Sequence, residues 1–192
     1  MIRVERSIVN MVESQVIATI SKPESVQKAI ASEANMAFLL TGDLLSVSEY
    51  VTKLKEAGMR VFIHMEFIDG LSNHRSSVEY IAKEWKPDGI ITTKSQLIKT
   101  AKEAGLLTIQ RIFLLDQTAL NKGIEMIQSC RPDAIEVLPG LMPRVIYEIT
   151  EKTHLPVIAG GLIRDKQEIL DALKAGALAT SISDPSLWNV GI

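Results

Sequence analysis

The sequence predicts a closed (β/α)8 barrel of the TIM type, because three short phrases recur along the chain at multiples of one period. Glu56-Ala57-Gly58, Glu103-Ala104-Gly105 and Lys174-Ala175-Gly176 place their glycines 47 and then 71 residues apart, which is two and then three repeats of about 23.6 residues. Each phrase ends an amphipathic stretch and precedes an apolar run, as expected where a helix ends at a left-handed glycine before a buried strand. A chain of 192 residues holds about eight such repeats, and eight βα repeats close into a barrel.

The predicted strands are short apolar or β-branched runs, which suits a sheet covered by helices outside and by the barrel interior inside. Three helix starts carry a capping-box pattern, at Ser21 to Glu24, Ser46 to Glu49 and Asp165 to Glu168. Pro87-Asp88 and Pro132-Asp133 form matching turns before the fourth and sixth strands. The strands are Val16–Ile20, Met36–Leu40, Arg60–Met65, Gly89–Thr92, Leu107–Arg111, Ala134–Leu138, Val157–Ala159 and Ala177–Ser181.

Composition indicates one domain over residues 1–192, with the barrel at 15–188 and an N-terminal extension at 1–14. The extension is predicted to form a helix that covers the N-terminal mouth of the barrel. A single cysteine, Cys130, excludes an internal disulfide and fits a reducing cytosol. The first six residues carry charges of both signs where a signal peptide needs an apolar core, and no apolar run approaches the ~20 residues of a membrane span. We therefore expect a cytoplasmic protein without a membrane partner.

Polar side chains gather where the predicted strands end. Since alternate residues of a strand share a face, the third strand is predicted to turn Phe62, His64 and Glu66 inward, the fifth Gln110, and the sixth Glu136. Ionisable groups buried there must pair, bind water or meet a ligand. The candidate ligand-binding residues are Thr41, His64, Glu66, Lys94, Gln110, Arg111, Glu136, Gly160, Gly161, Ser181 and Ser183.

These residues also have purely structural explanations. His64 could be a satisfied core histidine, and Glu66 and Glu136 could pair with Lys94 or Arg111 in a structural network. Arg111 could instead point outward and cover a helix with its stem. A metal site or an acid–base carboxylate pair needs defined separations that a sequence does not give, so no metal and no catalytic residue is predicted. Two further candidates, Gln110 and Thr41, are of types that often simply fill a barrel.

The seventh repeat indicates a phosphate-bearing ligand. Ala159-Gly160-Gly161-Leu162-Ile163-Arg164 follows an apolar strand and leads into the helix capped by Asp165. Paired glycines let the backbone approach a ligand, and exposed N–H groups can hold an anion. Ser181 and Ser183 supply hydroxyls beside them, and the loops after strands seven and eight are the usual phosphate site of this fold. The alternative is a tight turn that needs glycine only for its dihedral angles.

Six segments follow one another in an order that resembles a known family. They are Val61–Leu71, Asp88–Lys94, Ile109–Asp116, Ile135–Gly140, Ile158–Ile163 and Leu187-Trp188. In this order they resemble the glycerol-3-phosphate-responsive antiterminators, bacterial regulators of glycerol-uptake operons, from Val16 to Trp188. The resemblance implies a barrel that binds glycerol 3-phosphate, without a cofactor, and then acts on leader mRNA to prevent termination.

Three positions depart from the family pattern: Ser21-Lys22 replaces an arginine after the first strand, Glu66 replaces an aspartate, and Asp184 follows the eighth strand in place of an asparagine. RNA binding follows from the resemblance alone, because net charge is −2 and only 5% of residues are aromatic. A homo-oligomer could assemble scattered lysines and arginines into one groove. The alternative function is an enzyme acting on a small phosphorylated metabolite, with Glu66, Glu136, His64 or Lys94 as acid, base or electrophile.

Overall fold

Eight parallel strands close into a barrel in the computed structural model, which describes residues 7–192. Each strand pairs with the next along the chain, and β8 pairs with β1, so the predicted fold class is confirmed. The bounds differ from prediction by two residues at most. The strands are β1 (Val16–Ile20), β2 (Met36–Leu39), β3 (Arg60–His64), β4 (Gly89–Thr92), β5 (Leu107–Phe113), β6 (Ala134–Leu138), β7 (Val157–Gly160) and β8 (Ala179–Ile182).

Helices cover the outside of the barrel between successive strands. Within residues 7–192, no helix is both long and apolar enough to cross a membrane. A π-helical segment, Ile81–Trp85, continues α3, and single 3-10 turns lie at Val9–Met11, Met65–Phe67 and Pro185–Leu187. The helices are α1 (Ser25–Ile30), α2 (Val47–Glu56), α3 (Arg75–Tyr80), α4 (Ser95–Glu103), α5 (Gln117–Cys130), α6 (Pro143–Thr153) and α7 (Lys166–Lys174).

The three recurring phrases end helices as predicted. Gly58, Gly105 and Gly176 follow α2, α4 and α7 with φ of 83°, 80° and 102°, the left-handed conformation that ends a helix at little steric cost in glycine. The period read from the sequence is therefore the spacing of helix ends around the barrel.

Of the three predicted capping boxes, one is formed in part: Asp165 caps α7, but the Glu168 carboxylate accepts the amide of Arg164 rather than that of Asp165. Asp165 accepts a hydrogen bond from the amide of Glu168 at 2.9 Å. Ser46 does not cap α2, because its hydroxyl donates to Asp43, whose carboxylate also accepts the amide of Ser46. The box predicted at Ser21 is wrong as well: the chain turns at Pro23, and α1 begins only at Ser25.

The N-terminal mouth is closed by apolar side chains. Ile8 and Met11 are buried and pack into the cluster that fills the barrel interior, which includes Phe38 and Phe62. Of the predicted N-terminal helix, residues 1–6 lie outside the described part of the chain, and the helical structure at 7–14 is one 3-10 turn, Val9–Met11. Within residues 7–14, the mouth is covered by these two side chains and the single 3-10 turn.

Both Pro-Asp turns place a carboxylate at the start of a neighbouring strand. Asp88 is buried and accepts the amide of Val61 at 3.0 Å. Asp133 accepts the amide and the hydroxyl of Thr108, both at 2.8 Å. The two turns match because each carboxylate accepts the amide of the second residue of the preceding strand, Val61 of β3 and Thr108 of β5.

Candidate functional site

A buried ion pair lies inside the barrel at the C-terminal ends of β5 and β6. Nε of Arg111 donates to Oε2 of Glu136 at 2.6 Å, and both residues are 5% exposed or less. The hydroxyl of Ser181 donates to Oε1 of the same carboxylate at 2.7 Å. Among the described residues, the terminal amino groups of the guanidinium have no protein acceptor, so they remain able to bind an anion.

A second carboxylate, Glu66, joins the loops that follow β3 and β4. Its Oε1 accepts the hydroxyl of Thr92 at 2.6 Å, the amide of Thr93 at 2.9 Å and the hydroxyl of Thr93 at 3.1 Å. Burial alone would raise the pKa of Glu66. Contacts with His64 and these threonine donors outweigh burial and lower the pKa to about 2, so Glu66 is ionised at neutral pH.

His64 is buried on the interior face of β3 without a well-formed hydrogen bond. Its Nδ1 lies 2.9 Å from Oε2 of Glu66, but the angle between them satisfies neither atom, and Nε2 has no partner in residues 7–192. Burial lowers the pKa of His64, the contact with Glu66 opposes this change, and the Arg111 charge adds to it. The imidazole is therefore neutral at physiological pH.

Phe67 lies between His64, which is beside Glu66, and the Arg111–Glu136 ion pair at the mouth of the barrel. Its ring packs edge-on against His64, with centroids 4.6 Å apart, and the Arg111 guanidinium lies 5.9 Å from the Phe67 centroid. The ring is 51% exposed. Phe67 thus covers the space between the imidazole and the ion pair, a role that sequence reasoning missed because aromatic residues are common in loops and cores alike.

Backbone groups after β7 and β8 complete the rim. A side chain at Gly160 would collide with Oγ of Ser181 and lie 3.0 Å from Oε1 of Glu136, so glycine is required beside the ion pair. Gly161 and Leu162 both have left-handed backbones, with φ of 74° and 64°. Among the described residues, the amides of Gly161, Leu162 and Ser183 donate to no protein acceptor, which leaves them free for an anion.

Gln110 does not face the interior, so the predicted register of β5 is wrong by one residue. Its amide nitrogen donates to the carbonyls of Thr92 and Arg111, each at 3.1 Å, and its Oε1 faces Cys130 on α5. Ile109 packs with the interior cluster, and alternation then turns Arg111 inward. The outward orientation considered for Arg111 is therefore also wrong.

Three other predicted residues stand apart from the buried cluster. Lys94 precedes α4 with an exposed side chain and, within residues 7–192, forms no ion pair with Glu66 or Glu136. Thr41 is half-buried in the loop after β2, and Ser183 is exposed after β8. His64, Glu66, Arg111, Glu136, Gly160, Gly161 and Ser181 are brought together at the rim.

Thr19 is an interior residue that sequence reasoning missed. It pairs in register with Phe38 of the interior cluster and is 8% exposed, and its hydroxyl has no partner in the described chain. The signal that could have identified it is its place one residue before the end of β1, on the same face as Ile17.

Known proteins match this chain over nearly its whole length. It is 35% identical over 178 residues to an uncharacterized protein, YgcP, of Escherichia coli K12, covering 93% of each. The crystal structure of a glycerol uptake operon antiterminator regulatory protein from Listeria monocytogenes superposes with a TM-score of 0.88 at 32% identity, covering 92% of this chain and 95% of that one. A glycerol uptake operon antiterminator-related protein from Thermotoga maritima gives 0.80 at 33%, covering 90% and 96%.

More distant barrels share only the fold. Orotidine 5'-phosphate decarboxylase from Pyrococcus horikoshii superposes with a TM-score of 0.67 at 19% identity, covering 88% of each chain. By contrast, the family model described as glycerol-3-phosphate responsive antiterminator matches residues 16–188, the whole barrel with its rim. The chain therefore belongs to the glycerol-3-phosphate responsive antiterminator family.

Proposed function

We propose that this protein is a ligand-gated antiterminator that binds glycerol 3-phosphate at the C-terminal rim of its barrel and acts on the leader mRNA of a glycerol-uptake operon. The observation that carries the ligand site is the buried Arg111, whose terminal amino groups have no acceptor in the described chain. Arg111 is linked through Glu136 to Ser181, which is in register with Gly160 at the end of β7, one residue before the free amides.

This arrangement suits a phosphate group. Glu136 neutralises the guanidinium, so the ion pair by itself supplies little net charge. Backbone N–H groups at Gly161 and Leu162 and the free edge of Arg111 then provide several charge-assisted hydrogen bonds to one anion. The preference for glycerol 3-phosphate over glycerol should accordingly be large.

The state of the carboxylates supports binding rather than general-acid catalysis. Oε1 of Glu66 accepts three hydrogen bonds and the residue's pKa is about 2, so Glu66 holds no proton to donate at neutral pH. Both oxygens of Glu136 are engaged by Arg111 and Ser181. Turnover of a phosphorylated substrate that is lost in Glu136→Gln would instead favour the enzyme.

Gating requires that the ligand bind the RNA-competent state more tightly than the other state. The loop after β3, residues 67–73, is suited to this role because it begins at Phe67 beside His64 and Arg111. It also joins the loop after β2, where the amide of Asp69 donates to the carbonyl of Gly42 at 2.9 Å. A ligand that displaces Phe67 would therefore move two exposed loops, or an oligomer contact built on them.

The test combines calorimetry with filter binding. Calorimetry with glycerol 3-phosphate, glycerol and inorganic phosphate establishes the ligand. A titration of the cognate leader RNA, with and without glycerol 3-phosphate at two salt concentrations, then measures coupling. RNA affinity should rise with the ligand and fall steeply with salt, and RNA should tighten ligand binding by the same factor. Ligand binding without any change in RNA affinity would contradict the gating and leave a metabolite-binding barrel or an enzyme.

A further inference from the structure

We propose that Thr19, His64 and Glu66 form a hydroxyl-recognition subsite that restricts the ligand to phosphate esters carrying a neighbouring diol. This inference rests on the proposed function, because it assigns the part of the rim that the phosphate group does not use. It makes His64 a specificity-determining residue rather than a core histidine.

The observation behind it is a concentration of unsatisfied polar atoms. In residues 7–192, the buried side-chain nitrogens and oxygens without a hydrogen-bond partner are Oγ1 of Thr19, both ring nitrogens of His64, and Oε2 of Glu66. Buried polar groups in native proteins are nearly always paired. Orphans confined to three residues of one barrel therefore indicate a place where a polar molecule completes the structure.

Register places these residues on one face and near one end of the barrel. Thr19 is opposite Phe38, which is opposite Phe62. Because the strands of a closed barrel are tilted, each step along these register pairs to the next strand moves about one residue toward the N-terminal end. His64, two residues after Phe62, is therefore level with Thr19, one layer nearer the C-terminal rim than Ile17 and Phe62 of the interior cluster. Glu66 is in the turn directly above it, with Oε2 2.9 Å from Nδ1 of His64.

The donors and acceptors of this subsite match a diol. A neutral imidazole offers one donor and one acceptor, an ionised carboxylate oxygen accepts, and a threonine hydroxyl does both. Two adjacent hydroxyls supply two donors and two acceptors in return. A second anionic group would instead meet the charge of Glu66, so the subsite selects a neutral polyol end.

The subsite lies next to the proposed phosphate site. Phe67 contacts the imidazole of His64 on one side and lies 5.9 Å from the Arg111 guanidinium on the other. One phenyl ring therefore separates the hydroxyl and anion subsites, a span that suits a short carbon chain with a diol at one end and a phosphate at the other.

The experiment compares two phosphate esters that differ only in hydroxyls. Calorimetry measures binding of glycerol 3-phosphate and n-propyl phosphate to the wild type, His64→Phe and Thr19→Val. We expect the wild type to prefer glycerol 3-phosphate about 100-fold. The preference should fall to about 10-fold or less in both variants, with affinity for n-propyl phosphate unchanged.

Thr19→Val keeps the shape of a side chain whose hydroxyl has no partner, so it tests the proposal even where His64→Phe folds poorly. The matched control is His74→Phe, the same chemical change at an exposed histidine at the end of the loop that follows β3, which should leave the preference intact. Binding of both esters with an unchanged ratio in Thr19→Val and in folded His64→Phe would overturn the hydroxyl subsite alone. If the wild type binds neither ester, both this inference and the proposed function are overturned.

Discussion

The two ends of the barrel differ in how completely their buried polar groups are paired. At the N-terminal end, Asp88 and Asp133 accept strand amides at 3.0 and 2.8 Å, and Ile8 and Met11 fill the mouth. At the C-terminal end, His64 is buried without a well-formed hydrogen bond. The N-terminal end thus pairs these carboxylates with strand amides, whereas the C-terminal end combines the paired carboxylates of Glu66 and Glu136 with an imidazole that lacks such a partner.

The difference separates residues that stabilise the barrel from residues held ready for a ligand. An unsatisfied buried group costs about 1–3 kcal/mol. Such costs persist at functional sites because binding recovers them. Removing polar groups should therefore have different effects at the two ends.

The largest expected effect comes from Arg111→Met. It leaves Glu136 as a buried charge without its partner, so the free energy of unfolding should fall by about 3–5 kcal/mol. The matched control at the N-terminal end is Arg60→Met. Arg60 lies 3.4 Å from Asp88 with a side chain that is 48% exposed, so that change should cost about 1 kcal/mol or less. Urea denaturation measures both, and equal losses would contradict the contrast between the two ends.

A smaller loss of stability is expected when the pH is lowered, and it also arises from residues at the C-terminal end of the barrel. Glu66 has a folded-state pKa of about 2, below its ordinary value of 4.5, so the stability it contributes is present above pH 4.5 and is lost as pH falls toward 2. The contribution is about 3 kcal/mol at most, because the Glu66 side chain is partly exposed to solvent. His64, whose pKa is lowered by burial, removes further stability as pH falls through 6.5.

Urea denaturation between pH 3 and pH 8 checks this dependence. Glu66→Gln should flatten the curve below pH 4.5, and His64→Phe should flatten it near pH 6.5. A curve in the wild type that both substitutions leave unchanged would show that acid sensitivity arises elsewhere in the chain.

The same contrast explains how far the sequence could predict the structure. Apolar runs and helix-ending glycines identified all eight strands, since these features depend on local chemistry and burial. His64 and Glu136 were assigned to the interior correctly because each alternates with apolar neighbours of one face. Predicting the fold therefore did not require knowing which side chains contact one another across the barrel.

Strand β5 shows which information the sequence-based prediction lacked. It carries polar residues on both faces, and polarity alone selected Gln110 rather than Arg111 for the interior. The amide of Gln110 is satisfied on the helix side by the carbonyls of Thr92 and Arg111. Arg111 finds its partner in Glu136, the residue opposite it on β6. Pairing between strands fixes the face, and a single sequence does not give that pairing.

The smallest expected effect on stability comes from replacing a glycine. The comparison is between Gly161 in the loop after β7 and Gly58 at the end of α2. Gly161→Ala and Gly58→Ala both place a side chain at a left-handed backbone, with φ of 74° and 83°, so each should lower the free energy of unfolding by about 1–2 kcal/mol. The new Cβ at Gly161 would lie 3.1 Å from Leu138, whereas nothing lies within 4 Å at Gly58.

That contact should tilt the free amide of Gly161 away from an anion. Affinity for glycerol 3-phosphate should therefore fall about tenfold in Gly161→Ala, roughly the contribution of one hydrogen bond to a charged group, and stay unchanged in Gly58→Ala. Calorimetry on both variants decides the matter. If the two proteins bind glycerol 3-phosphate equally well, the glycine pair after β7 serves only the turn, and the anion must be held by Arg111 and the loop after β8.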